Sequence, residues 1–137
     1  MATPKQPISP PDELLKSGEE TSIIRLVDSL LEYANEARAS DVHIDPTTRQ
    51  IRVRLRIDGI LHDIARIPAS IHELVITRIK ILSKLRTDEH QAPQDGKIEF
   101  IFEGDPADIR VSIVPTSRGE NAVLRLLTDQ SEEFTLA

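Results

Sequence analysis

Residues able to do chemistry crowd into one stretch, ASDVHIDPTTRQIRVRLRIDGIL, residues 39–61. Asp41, His43 and Asp45 fall at every second position, and so do Arg52, Arg54 and Arg56. Two carboxylates around an imidazole suit metal binding or acid–base work, but a catalytic metal site takes three protein ligands of defined geometry. A half-buried strand histidine accounts for His43 equally well, and no metal is assigned here. The arginines suit a polyanion or nucleotide, or else the solvent face of a sheet carrying a cross-strand ion pair. His62, His72 and His90 share no partner spacing, and no Ser-His-Asp arrangement emerges.

An absence matters as much. No GxxxxGK[ST] occurs, and no glycine-rich loop opens a helix. Gly119, between Arg118 and Glu120, reads as a turn and not as a phosphate cradle. The chain therefore has no P-loop chemistry of its own and is expected not to be an enzyme.

Composition narrows the classes further. The 137 residues carry a net charge of −6 and only 3% aromatics. Phosphate-backbone binding needs a basic surface and base stacking needs aromatic platforms, so nucleic acid is not an expected partner. There is no cysteine, which removes disulfides and thiolate metal sites. No stretch reaches the roughly 20 apolar residues of a membrane span, and the N-terminal segment lacks a signal peptide's apolar centre. A cytoplasmic location is expected, with membrane contact only through a partner.

These residues need elements to hold them. Residues 1–20, rich in proline and charge, read as a flexible linker. Ile23, Ile24, Val27, Leu30, Leu31 and Ala34 recur at helical spacing, with Thr21 or Ser22 as the cap and an end near Ala37. Asp41–Asp45 alternates as a short strand closed by Pro46. Strands 50–57 and 60–66 form a hairpin across Asp58-Gly59, the pair a type I′ turn favours. That turn pairs Ile57 with Ile60, Leu55 with His62, Arg54 with Asp63 and Val53 with Ile64. Ile51, Val53, Leu55, Ile57, Ile60, His62 and Ile64 then share one face, and Arg52, Arg54, Arg56 and Asp63 the other.

Ser70 and Glu73 make a capping box for a helix over 70–85, with Ile71, Leu74, Val75, Ile79, Leu82 and Leu85 inward. A polar loop spans 86–97. Strands 97–103 and 108–114, joined across Gly104-Asp105-Pro106, precede a last strand at 121–127. The order helix, three strands, helix, three strands implies α+β with a largely antiparallel sheet and flanking helices.

The stretches ASDVHIDP (39–46), VRLRIDGIL (53–61), ITRIKILSKL (76–85), PQDGKI (93–98) and DIRVSIVPTSRGENAVLRLL (108–127) stand in an order and spacing that resembles the ATPases of type II secretion and type IV pilus assembly, the GspE/PilB kind. The resemblance implies a PAS-like domain over residues 21–130, placed just before a RecA-like motor, with 131–137 starting the linker to it. It implies that the motor, carrying the P-loop, ATP and magnesium, lies downstream. The fragment itself would bind no cofactor.

The implied role is regulatory and nucleotide-sensing within a hexamer. The implied partners are the motor domain of the same or a neighbouring subunit and, through the parent protein, an inner-membrane platform. The two arginines that reach the terminal phosphate in that family resemble Arg110 and Arg125. Arg54, Arg56, Asp58 and Gly59 match the RxRxDG signature, for which the turn supplies a structural reason. Where the family often has Gly-Glu-Arg before the last strand, this chain has Gly119, Glu120 and Asn121. The alternative is a free-standing PAS-like sensor or protein-interaction module.

Overall fold

The computed structural model describes residues 20–127. The readings of residues 1–20 and 131–137 as linkers lie outside them except at Glu20, which opens the first helix instead. The elements are α1 (Glu20–Glu36), β1 (Asp41–Pro46), β2 (Gln50–Ile57), β3 (Ile60–Pro68), a 3₁₀ turn (Ala69–Ile71), α2 (His72–Leu82), β4 (Gln94–Phe102), β5 (Asp105–Thr116) and β6 (Gly119–Leu127). All neighbouring strands are antiparallel, in the order β3-β2-β1-β6-β5-β4. The α+β class and the order of elements are as the sequence implies.

Alternation along each strand sends one set of side chains toward the helices. Val42 and Ile44 of β1, Val53 and Leu55 of β2, Val111 and Ile113 of β5, and Ala122 and Leu124 of β6 are all buried. They pack in one continuous core with Ile23, Leu26, Val27, Leu30 and Leu31 of α1 and Val75, Ile76 and Ile79 of α2. Both helices therefore cover one face, and the other face is left bare. Arg38, with φ of 60°, ends α1 by turning left-handed, and Ala39 N–H bonds back to the Ala34 carbonyl at 2.9 Å. This delivers the chain directly into β1.

The β2–β3 hairpin turns at Asp58 (φ 52°) and Gly59 (φ 81°), as the type I′ expectation requires. The first pairs are those expected: Ile57 with Ile60, Leu55 with His62 and Arg54 with Asp63. The pairing of Val53 with Ile64 is corrected. A bulge leaves Ile64 as an extra residue, and Val53 faces Ala65. The physical reason is parity. Ile64 and Ile67 lie three apart, so a regular strand would bury only one and turn Arg66 inward. The bulge buries both and leaves Arg66 in solvent. Ile60 and His62 are a second correction. They lie on the helix-side face but are exposed, because the edge strand is uncovered there.

The second helix also differs. A 3₁₀ turn precedes α2, and no side chain caps either piece, so the Ser70–Glu73 box does not form. Leu74 is exposed; His72, Ile76 and Lys80, spaced by four, face inward instead. The last two hairpin strands are longer than expected. Their turn is Glu103-Gly104, with Asp105 and Pro106 already in β5. Gly96, inside β4, has a packing reason: a Cβ there would stand 2.8 Å from the Ser83 carbonyl oxygen and 2.9 Å from Leu85. Only glycine lets the chain leaving α2 lie on the sheet.

Burial separates the two faces of β2 energetically. Leu55, 0% exposed, should cost about 2–5 kcal/mol when replaced by alanine. Arg52→Ala, on the bare face, should cost less than ~1 kcal/mol. Urea melts of the two variants check the difference, and equal losses would contradict the register.

Candidate functional site

The bare face holds the charged residues in rows set by strand register. Arg56 (β2), Asp41 (β1), Arg125 (β6), Arg110 (β5) and Lys97 (β4) are each opposite the next. The neighbouring row runs Asp63, Arg54, His43, Val123, Ser112 and Asp95. Arg110 and Arg125 are thus direct cross-strand partners on one face, and both are exposed.

Asp41 organises the first row. Its side chain is only 8% exposed, and it faces a cation on either side. Arg125 Nε donates to Oδ1 at 3.1 Å, while Ser40 Oγ donates to Oδ2 at 3.1 Å. Arg56 Nε lies 3.5 Å from Oδ2. Because Arg125 is held through Nε, its two terminal nitrogens are left to point outward; the side chain is 64% exposed. The Arg110 side chain has no hydrogen-bond or ion-pair partner among the described residues. Two like charges side by side repel each other, and Asp41 compensates only one of them.

Arg56 also closes the hairpin turn: its Nη1 donates to the Gly59 carbonyl at 2.9 Å. Arg54 Nη2 donates to Asp45 at 2.8 Å. Arg54 is opposite Asp63 in register, yet its ion pair goes to the other neighbouring strand, and Asp63 pairs with Arg66. The ASDVHID and RxRxDG motifs are therefore the two sides of one ladder, with Asp58-Gly59 as its turn. Asp41, His43 and Asp45 do share a face, but both carboxylates are engaged by arginines. No group of three or more metal-ligating side chains is present among the described residues. Burial lowers the pKa of His43, and Arg54 and Arg56 add to this, while Asp45 and Asp41 work against it.

One buried cluster escaped the sequence reading. Lys80 is 0% exposed and lies 2.9 Å from Glu120 Oε2, with donation to Oε1 at 3.2 Å. It also donates to the Glu89 carbonyl. His90 Nδ1 is 3.1 Å from Glu120 Oε1, and His72 Nε2 donates to the Glu120 carbonyl at 2.8 Å. Gly119, at φ 127°, fits against the His72 ring, where a Cβ would approach to 2.9 Å. Helix α2, the loop after it and the start of β6 are locked together at this point. The available signal was a lysine four residues after Ile76 on the apolar side of α2.

A family profile described as Type II/IV secretion system protein matches residues 16–137. The chain belongs to this family. Its members include a type II secretion system protein E of Xanthomonas campestris, 44% identical over 84% of this chain and 20% of the relative. The type IV pilus assembly ATPase PilB of Myxococcus xanthus is 38% identical over 85% of this chain and 21% of its own. The type II secretion system ATPase E of Vibrio cholerae is 34% identical over 91% and 25%. The chain thus spans about a fifth to a quarter of these family members. In fold it resembles a crystal structure of the pilus retraction motor PilT with bound ADP, with a TM-score of 0.50 and 19% identity over 74% of this chain and 29% of that one. No helix among the described residues is long and apolar enough to cross a membrane.

The buried cluster makes stability depend on acid. Burial pushes the Glu120 carboxyl up, but hydrogen bonds from Lys80 and His90 and their charges outweigh it, leaving the pKa below its usual value. A carboxyl lowered by folding adds stability that is complete above its unfolded pKa and is lost as pH falls through the folded one. The lowered imidazole of His43 acts in the same direction, adding stability above 6.5 that is lost on acidification. Urea melts across pH should therefore show stability falling toward acid, and Glu120→Gln should flatten the limb below 4.5. Lys80→Met, which strands the buried carboxylate, should cost about 3–5 kcal/mol.

Proposed function

We propose that this domain is the nucleotide-sensing, regulatory part of a secretion or pilus-assembly ATPase. Its bare sheet face closes over the terminal phosphate of ATP held by a motor domain of the same or a neighbouring subunit. The observation that carries the reading is the direct pairing of Arg110 with Arg125. Two exposed guanidiniums stand together on rigid strands, one pinned through Nε to Asp41 so that its fork faces out. Guanidinium forks match phosphate oxygens, and a rigid mount reduces what must be ordered on closure. Membership of the family and the ATPase names of its relatives support the same reading. ATP and magnesium belong to the motor in this account. The chain's own contribution is charge placed where a phosphate arrives. Attachment to an inner-membrane platform would come through the parent assembly.

The domain alone should bind ATP only on the order of millimolar at best, since exposed arginines lack the backbone cradle and metal ligand of a P-loop. Micromolar binding by calorimetry would favour a free-standing sensor instead.

In a protein of the relatives' full length that carries this region, Arg110→Ala or Arg125→Ala should lower ATPase turnover at least about tenfold. A directly acting arginine finger is worth roughly 10³–10⁵. Lysine should rescue poorly because it lacks the planar fork. A folded assembly with both arginines replaced and turnover unchanged would sink the proposal.

A further inference from the structure

A second cationic cluster occupies the bare face, apart from Arg110 and Arg125. An open depression of about 470 Å³ is lined by His43, Asp45, Arg52, Arg54, Arg118 and Asn121, among others. In register, Arg125 is opposite Asp41, whereas the depression centres on His43 and Asp45, two and four residues further along β1. At about 3.3 Å per residue, that is roughly 7–13 Å away.

Charge in the depression is unbalanced. Three guanidiniums meet one carboxylate, a local charge of +2 (3 − 1, with His43 neutral) in a chain whose total is −6. Asp45 is already taken by Arg54 at 2.8 Å. Arg52 and Arg118 have no carboxylate partner among the described residues. The Nε atoms of both Arg52 and Arg54 are buried without an acceptor. A buried N–H with no acceptor is costly, and an oxyanion meeting the terminal nitrogens of the same guanidiniums offsets that cost through its charge.

The third arginine is held from the opposite wall. Arg118 sits in the two-residue turn between β5 and β6. Thr116 Oγ1 closes that turn, donating to the Gly119 carbonyl at 2.6 Å and accepting from Arg118 N–H at 3.2 Å. The turn rests on His72 through Gly119, and Glu120 beside it is fastened to Lys80. Arg52 and Arg54 rise from β2, and Arg118 reaches in from this turn. The three therefore approach one space from two separate elements, a strand and a turn.

We propose that the depression is a binding site for a phosphate-type oxyanion of pyrophosphate size. Arg52 and Arg54 supply fork donors from one wall, Arg118 from the other, with the Ser117 hydroxyl and the Asn121 amide at the rim. A planar fork takes two oxygens of one phosphate, and three forks around one space suit linked tetrahedral groups better than a single flat carboxylate. The site is independent of any role for Arg110 and Arg125.

The test is a ¹⁵N–¹H titration of the chain with sodium pyrophosphate, and separately with ADP, at ionic strength matched by sodium chloride. Saturable shifts are expected at the amides of residues 43–46, 52–54 and 117–119. Arg52→Gln with Arg118→Gln should weaken binding at least about tenfold, because two charge-assisted contacts are removed. Arg86→Gln, in the exposed loop after α2 where Arg86 pairs with Asp88, should leave pyrophosphate affinity unchanged. Arg118→Gln alone, in an exposed turn, serves if the double variant loses its dispersed spectrum. Binding of ADP as tight as that of pyrophosphate or tighter would identify the source as a nucleotide's diphosphate; binding of pyrophosphate alone would identify a free anion. Shifts that do not saturate, that survive removal of Arg52 and Arg118, or that centre on residues 97, 110 and 125 would overturn the proposal.

Discussion

Everything in this domain depends on the alternation of side chains across a sheet that is covered on one side only. Successive residues of a strand point to opposite faces, and the two helices can dry just one. Each strand must therefore keep its apolar parity along its whole length. Where the sequence breaks parity, between Ile64 and Ile67, the backbone yields through a bulge and the side chains keep their faces. The same constraint gathers the charges. Residues far apart in sequence, such as Arg56, Asp41, Arg125, Arg110 and Lys97, come into one row because each is the outward residue of its strand.

That rule explains what could be read in advance. The alternating arginines of β2 and the Asp58-Gly59 turn fix both faces and the first pairs of the hairpin, and element order follows from hydrophobic period. The pairing of Arg110 with Arg125 needs one step more. It depends on β5 and β6 being neighbours in a set register, which the two-residue turn at Ser117-Arg118 determines. What could not be read were features decided by tertiary contact. Ser70 and Glu73 have the spacing of a cap, yet the approach from Pro68 produces a 3₁₀ turn. Lys80 looks like a solvated helix residue until Glu120, forty positions away, is placed beside it. The depression beside His43 is lined from β1, β2 and the turn between β5 and β6, which only the folded sheet brings together.

The motifs that place the chain in its family acquire a physical meaning from this geometry. The aspartates of β1 and the arginines of β2 and β6 form an interleaved lattice in which each carboxylate holds a guanidinium at a set angle. Surface ion pairs stabilise little, so the lattice matters chiefly for orientation. Arg125 held at Nε presents a different face to its surroundings from an arginine held at its tip. Asp41 decides which.

The bulge in β3 has a consequence for the solution behaviour of the domain. An open sheet ends in two strands whose outer backbone groups are unpaired, and such edges recruit further strands. Here β3 forms one edge and β4 the other. The extra residue at Ile64 breaks the spacing of donors and acceptors midway along β3, and Pro68 withholds an N–H at its end. A strand from another molecule would find no continuous ladder to join. On β4 the task falls to charge, with Asp95, Lys97 and Glu99 alternating along the outer face. The residue that keeps Ile64 and Ile67 both dry thus also guards the molecule against growing its sheet into a fibre.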